Sequence, residues 1–288
     1  MRQKVILLIF CSFSLMASHA QEFSGGFRAG LNFATFNGPS ETGADGGNLE
    51  EYSLGSGFHV GGMANLRFTD QFSLRGELLY SQKGAAYKYA GQSFWIFPTV
   101  DGEQLIATGD RSTVLSITNS YIDIPIMAVG RFGRIEISGG FTTGFLVSSR
   151  GSGELIFSGT TDNGSIVNPF TIALDFNYFQ DREDVGEVEL REIAGKTVEI
   201  PKTLSAYYEE LENSERLFQT LDLGLIGGVS FFINQGLFLG MRVNYGLSDI
   251  TKTNRDFSRL SLDEENNYIP LDDIDRNLVL QASVGFSF

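Results

Sequence analysis

Leu278-Val279-Leu280-Gln281-Ala282-Ser283-Val284-Gly285-Phe286-Ser287-Phe288 alternates to its last residue, Val279 alone breaking the pattern. Leu278, Leu280, Ala282, Val284, Phe286 and Phe288 make an apolar row, while Gln281, Ser283, Gly285 and Ser287 make a small or polar one. A repeat of two residues puts successive side chains on opposite faces of a sheet, so this ending reads as a strand with one apolar face. Working backwards, Leu237, Leu239, Met241, Val243, Tyr245 and Leu247 alternate with Gly240, Arg242, Asn244, Gly246 and Ser248. Leu221, Leu223, Leu225, Val229 and Phe231 stand opposite Asp222, Gly224, Gly228 and Ser230. The same holds for Ile135, Ile137, Phe141, Phe145 and Val147 against Glu136, Ser138, Gly140 and Gly144.

Four more segments follow the rule in the first half of the chain: Phe27–Phe33, Phe58–Phe68, Phe72–Tyr80 and Ile122–Ala128. About eight strands result, each near the roughly 9 to 11 residues that a tilted strand needs to cross a bilayer. Their connections alternate in length. Thr69–Gln71, Phe132–Gly133 and Asn234–Gly236 are tight turns, whereas 37–57, 88–120, 148–219 and 249–277 are long and polar. Short turns at one end and long loops at the other are the layout of a barrel inserted from the periplasm.

A soluble barrel also alternates, so the contents of the two rows decide between the readings. The row without large apolar groups carries Arg28, Arg67, Arg75 and Arg242 with Glu77, Asp123, Glu136 and Asp222, separated by glycine and serine. A narrow lumen has this composition, since it must fit a few large paired groups among small ones. Phenylalanines crowd the strand ends next to the turns: Phe68, Phe72, Phe132, Phe231, Phe232, Phe238 and Phe288. That suits an interfacial girdle. The expectation is an all-β, closed antiparallel transmembrane barrel of about eight strands, in which those eight charged residues neutralise one another as a plug instead of lining a selective pore. Closure leaves no unpaired strand edge facing lipid. Pro125, in mid-strand, lacks a ladder donor and predicts a bulge or local irregularity.

Tyr121-Ile122-Asp123-Ile124-Pro125-Ile126-Met127 resembles the Tyr-x-acidic-Ile-Pro-Leu segment of the outer-membrane β-barrel domain family, the porin-like or PorT-like small barrels of OmpA or OmpX type. The likeness covers nearly the whole chain after residue 20 in layout, and this segment is its one specific motif. The ending, Gln281-x-Ser283-x-x-Phe286-x-Phe288, is similar to the terminal signal read by the barrel-insertion machinery, with serine at 283 where glycine is usual. The resemblance implies residence in the outer membrane among lipid and lipopolysaccharide, Phe286 and Phe288 as an insertion signal, and neither an enzyme nor a defined ligand.

Composition agrees with export and surface exposure. Arg2 and Lys4, an apolar run from Val5 to Met16 and the small residues of Ser18-His19-Ala20 read as a cleaved signal peptide over 1–20, leaving 21–288 as one barrel domain. The only cysteine, Cys11, lies inside that segment, so the rest has no disulfide or thiol chemistry. The net charge is −14, which argues against nucleic acid as a partner. With 42% apolar residues and 34 glycines, that acid has to be concentrated, and the expected large extracellular loop 148–219 carries much of it, from Asp181 to Glu215.

Within that loop Phe170, Ile172, Leu174, Phe176 and Tyr178 alternate and, paired with Glu154–Ser158, would raise the count to ten strands. Glu154–Ser158 is too short to span, so an extracellular hairpin is expected, with a short helix over Leu204–Leu211. His59 is the only histidine after residue 20 and faces inward among Gly61 and Asn65, where a hydrogen-bonded structural role is the ordinary case; no catalytic constellation, metal site or cofactor motif accompanies it. Asp263-Glu264-Glu265 and Asp272-Asp273 with Asp275 lack the spacing of a calcium loop and read as solvated surface. The function expected is a non-enzymatic surface protein whose acidic loops contact an unknown surface or envelope partner. An accessory component of protein secretion and a narrow passive channel are the alternatives.

Overall fold

The apolar rows point outward and the strands that carry them close on themselves. A computed structural model describes residues 22–180, 187–207 and 216–288; the signal-peptide segment lies outside the described residues. The strands are β1 (Glu22–Asn37), β2 (Glu50–Arg67), β3 (Phe72–Pro98), β4 (Gln104–Phe132), β5 (Ile135–Thr161), β6 (Ile166–Asn177), β7 (Val188–Ile193), β8 (Lys196–Pro201), β9 (Thr203–Leu204), β10 (Leu221–Phe232), β11 (Leu237–Gly246), β12 (Phe257–Leu262), β13 (Tyr268–Pro270) and β14 (Arg276–Ser287). The ring runs β10-β11-β14-β1-β2-β3-β4-β5 and returns from β5 to β10. The last strand pairs with the first, Phe286 opposite Phe27, so every ring strand has two neighbours. Eight strands, not ten, make the barrel: β6 pairs with the far half of β5, as the hairpin expected from its sequence, and on its other edge only with the short β9.

A belt of exposed apolar side chains surrounds the ring, including Phe27, Leu31, Leu78, Ile126, Phe141 at 68% exposure, Val229 and Met241. In water such a surface would be an aggregation site; against lipid tails it is matched. Gly133, at φ +64°, makes the tight turn between β4 and β5. Two of the phenylalanines expected in the girdle are elsewhere. Phe232 and Phe238 are buried inside the short-turn end, with ring centroids 5.3 Å apart, because they share the inward parity of Ser230 and Gly240.

Several expected loops are sheet. β3 and β4 continue past the belt as one tall hairpin joined only by 99–103, and β5 follows them to Thr161. From Lys83 to Pro98, at about 3.3 Å per residue, β3 adds roughly 50 Å along the strand. Beyond the belt the polarity of the two faces reverses. The inward row of β3 passes from Arg75, Glu77, Ser81 and Lys83 to Ala85, Tyr89, Trp95 and Phe97, all buried. Its outward row passes from Phe72, Leu74 and Leu78 to Lys88, Ala90 and Gln92. Trp95, Phe97, Phe157 and Phe170 meet with centroids 5.6 to 6.3 Å apart, in a core continuous with Leu155, Ile172, Leu174 and Phe218. This outer domain is built like a water-soluble protein, apolar inside and polar outside.

Two register shifts mark the join. One lies on β2 between Leu54 and His59, and the other beside Ser120 and Tyr121, where Val147 of β5 is left without a partner on β4. Both flank the stretch Ser81–Ala85 of β3, so they sit at one height. At Pro125 there is an irregularity and not a bulge: the pairs opposite it drop out of the β3–β4 ladder, while Gly76–Ile126 and Leu79–Asp123 keep one register and Pro125 pairs with Thr142 across β5. A missing donor removes a hydrogen bond without requiring an extra residue. The segment expected as a helix begins instead in β9 and a turn through Tyr207, and its remainder lies outside the described residues.

Candidate functional site

The inward row of β3 supplies one partner to each successive charged layer of the lumen. Nearest the short turns, both terminal nitrogens of Arg75 donate to Glu136, at 2.7 and 2.8 Å, while its Nε donates to Asn65 Oδ1 at 2.6 Å. Two residues on, Glu77 accepts two bonds from Arg242, at 2.7 and 2.5 Å, and lies 3.6 Å from Arg28 Nη1. Arg28 also stands 5.3 Å from the centre of the Phe238 ring. Above them Asn32 donates to Ser81 and accepts from Gln281, and His59 Nδ1 lies 2.7 Å from Asn32 Oδ1. The top layer has Lys83 Nζ donating to Asp123 at 3.0 Å and Asp222 at 2.9 Å, over the Tyr121 ring, with Asn277 also donating to Asp222.

Four cations, Arg28, Arg75, Lys83 and Arg242, face four anions, Glu77, Asp123, Glu136 and Asp222, and all eight are buried. Bidentate arginine–carboxylate geometry satisfies lone pairs that would otherwise face a low dielectric. His59 is held through Nδ1 by the Asn32 side chain, which also bonds Ser81, the residue opposite His59 on β3.

Above this stack, where β2, β4, β6 and the segments before β12 and β14 converge, the outer domain encloses a cavity of about 140 Å³. Tyr52, Tyr87, Leu115, Ile117, Leu174 and Phe176 form its apolar side. Asp256, Asp273 and Asp275 form an acidic side, each offering a carboxylate oxygen within 4.8 Å of the others. Burial first, then the like charges of Asp275 and Asp273, push the carboxyl of Asp256 up to about 7. Burial, then Asp273 and Asp249, push Asp275 up to about 7 as well. Asp275 is 3% exposed, which differs from the solvated surface expected for it, while Asp263 is exposed and bonds its own turn through the backbone N–H of Glu265 and Asn267.

Residues 18–252 match the model of the outer membrane protein beta-barrel domain family. The chain belongs to that family. Like other members of this outer-membrane β-barrel family, it resides in the bacterial outer membrane, in contact with its lipid and lipopolysaccharide. No curated protein matches it in sequence. Similar solved structures include Ail, the attachment invasion locus protein of Yersinia pestis, in complex with the heparin analogue sucrose octasulfate, at 11% identity and TM-score 0.36 over 93% of this chain and 99% of that one. Outer membrane protein OprG of Pseudomonas aeruginosa is 10% identical, with TM-score 0.36, over 93% and 97%. E. coli outer membrane protein W is 17% identical, with TM-score 0.32, over 94% and 100%. Likeness at this level carries nothing about ligands.

Seven of the eight charged residues expected in the lumen come together there. Arg67 does not: as the last residue of β2 it projects at the short-turn rim and pairs in the open with Glu22 at 2.8 Å. Lys83 was missed, although the parity of Arg75, Glu77 and Ser81 leads directly to it. The cavity was missed because Asp256 approaches Asp273 and Asp275 from a different segment. Phe286 and Phe288, the expected insertion signal, lie on the outward face of the closing strand and beyond its end, where Phe286 stacks on Phe27 with centroids 6.2 Å apart.

Proposed function

We propose that this barrel is a non-enzymatic anchor that presents a folded binding domain at the cell surface, with the short turns in the periplasm and Phe286 and Phe288 as its insertion signal. One observation carries the reading: along a single continuous sheet the interior changes from paired charges to an apolar core with a cavity. A neutral, tightly paired lumen of eight strands suits a structural plug better than a conduit. A rigid outer core with a concave site suits recognition. The hydrophobic belt and the acidic outer surface are what such an anchor needs to face lipid below and water above.

Reconstituted in planar bilayers, the purified protein should show no stable conductance comparable to a general porin. Steady open-channel currents of that size would establish the passive-channel alternative instead. For the binding role, 148–219 can be replaced by a short turn, since the ring strands β5 up to Val147 and β10 from Leu221 are untouched. Cells displaying this variant should insert a folded barrel yet lose capture of the partner that the full chain cross-links in intact envelopes. Unchanged capture would sink the reading, and failure of protein export in a deletion strain would favour the secretion alternative.

A further inference from the structure

We propose that the cavity of the outer domain binds a small organic cation, a primary ammonium carried on a short apolar or aromatic body; this rests on reading that domain as a binding module. At about 140 Å³ the space is close to that of apolar cavities that hold one benzene-sized molecule. One side is aliphatic and aromatic, which suits an organic body and not a hydrated ion. The other side has three converging carboxylates, and a primary ammonium has three N–H donors to offer them. Tyr52 and Tyr87 line the same cavity, and aromatic rings attract a cation.

Charge balance in the cavity favours a cation. Glu41, Glu50, Asp256, Asp273 and Asp275 line it against Arg111, Arg255 and Arg259. Among the described residues no lysine or arginine lies within ion-pair distance of the three aspartates, and Asp275 accepts only a 3.4 Å contact from the Thr251 hydroxyl. The two glutamates are engaged locally: Glu50 accepts from the backbone of Glu41, and Glu41 from the backbone of Arg259. The three arginines make contacts of their own, Arg255 over the Tyr207 ring among them. A bare calcium ion is the poorer fit, because it takes about six to eight oxygens and the facing wall offers hydrocarbon.

The buried carboxylates make the site sensitive to pH. Asp273, Asp249 and Glu50 press on Asp275 by like charge; Asp275, Asp273 and Glu50 press on Asp256, and Arg259 opposes them. Tyr52 and Tyr87, whose ionisation burial pushes well above the ordinary range, stay neutral throughout. Below neutrality the two aspartates are mostly protonated and compete with the ligand, so affinity rises with pH and binding releases protons.

The test is calorimetric titration of the full-length protein in detergent with 2-phenylethylamine, in two buffers of different ionisation enthalpy. Saturable binding is expected, roughly tenfold or more weaker at about pH 5.5 than at about pH 8, with proton release read from the buffer dependence. Asp275→Asn and Asp256→Asn should each weaken it by about tenfold or more, the least that losing one close ion pair in a desolvated site costs. If Asp275→Asn disturbs the outer domain, proton release in the unaltered protein still decides the matter. Absence of saturable amine binding, or saturation by calcium that the amine does not displace, overturns the proposal. Partner capture that persists in the full chain without amine binding refutes this inference alone, whereas capture unaffected by replacement of 148–219 refutes the binding-module reading beneath it.

Discussion

Glu77→Ala should destabilise the barrel by about 3 to 5 kcal/mol, read as a lower midpoint of urea unfolding in detergent or lipid. Among the described residues Glu77 is the one carboxylate within ion-pair distance of both Arg242, through two hydrogen bonds, and Arg28. Its removal leaves two buried guanidiniums without the carboxylate they share. Breaking a buried pair from one side is far more costly than replacing all its members by apolar groups of similar size. Glu77→Leu combined with Arg242→Met and Arg28→Met should therefore recover much of the loss. If Glu77→Ala unfolds at the same urea concentration as the unaltered protein, the paired lumen is not what holds the ring together.

Phe157→Ala should cost the outer domain about 3 to 5 kcal/mol while sparing the ring. Phe157 is fully buried, packs against Trp95 and Phe170, and stands well beyond the lipid belt on the extension of β5. The cavity it leaves has rigid aromatic walls that collapse poorly. Hydrogen exchange should then show lost protection across β6 and the upper parts of β3 to β5, with β10, β11 and β14 still protected. Equal loss in both sets would mean that the two halves unfold as one unit and that the register shifts at the join do not separate them.

Within the belt the sequence was legible because one rule governs it, lipid outside and packing inside. All eight ring strands, the closing strand and seven of the eight lumen residues follow from period-two alternation, and the family model agrees on the class. Legibility ended where the rule inverted. Tyr87, Tyr89, Trp95 and Phe97 continue the inward row of Lys83, but they are apolar, so no outward apolar row runs on past Tyr80 and 88–120 reads as loop. The unpaired Val147 added a second obstacle: on β5 the inward residues are even-numbered up to Leu146 and odd-numbered from Ser149. Arg67 was misplaced for a simpler reason, since parity gives the face and says nothing of distance along the strand. The aspartate cluster needs two segments folded against each other, which is tertiary information.

The stack of opposite charges under the cavity has a further consequence. On the proposed reading of that stack as a plug, the space above it is a blind pit, floored by groups that bind one another. A molecule that enters has to leave by its own route, so the rate of escape sets how long the surface holds it. A plugged barrel of this kind is suited to retention and not to import. Variants that change how quickly a guest departs should matter more to its biology than variants that widen the way in.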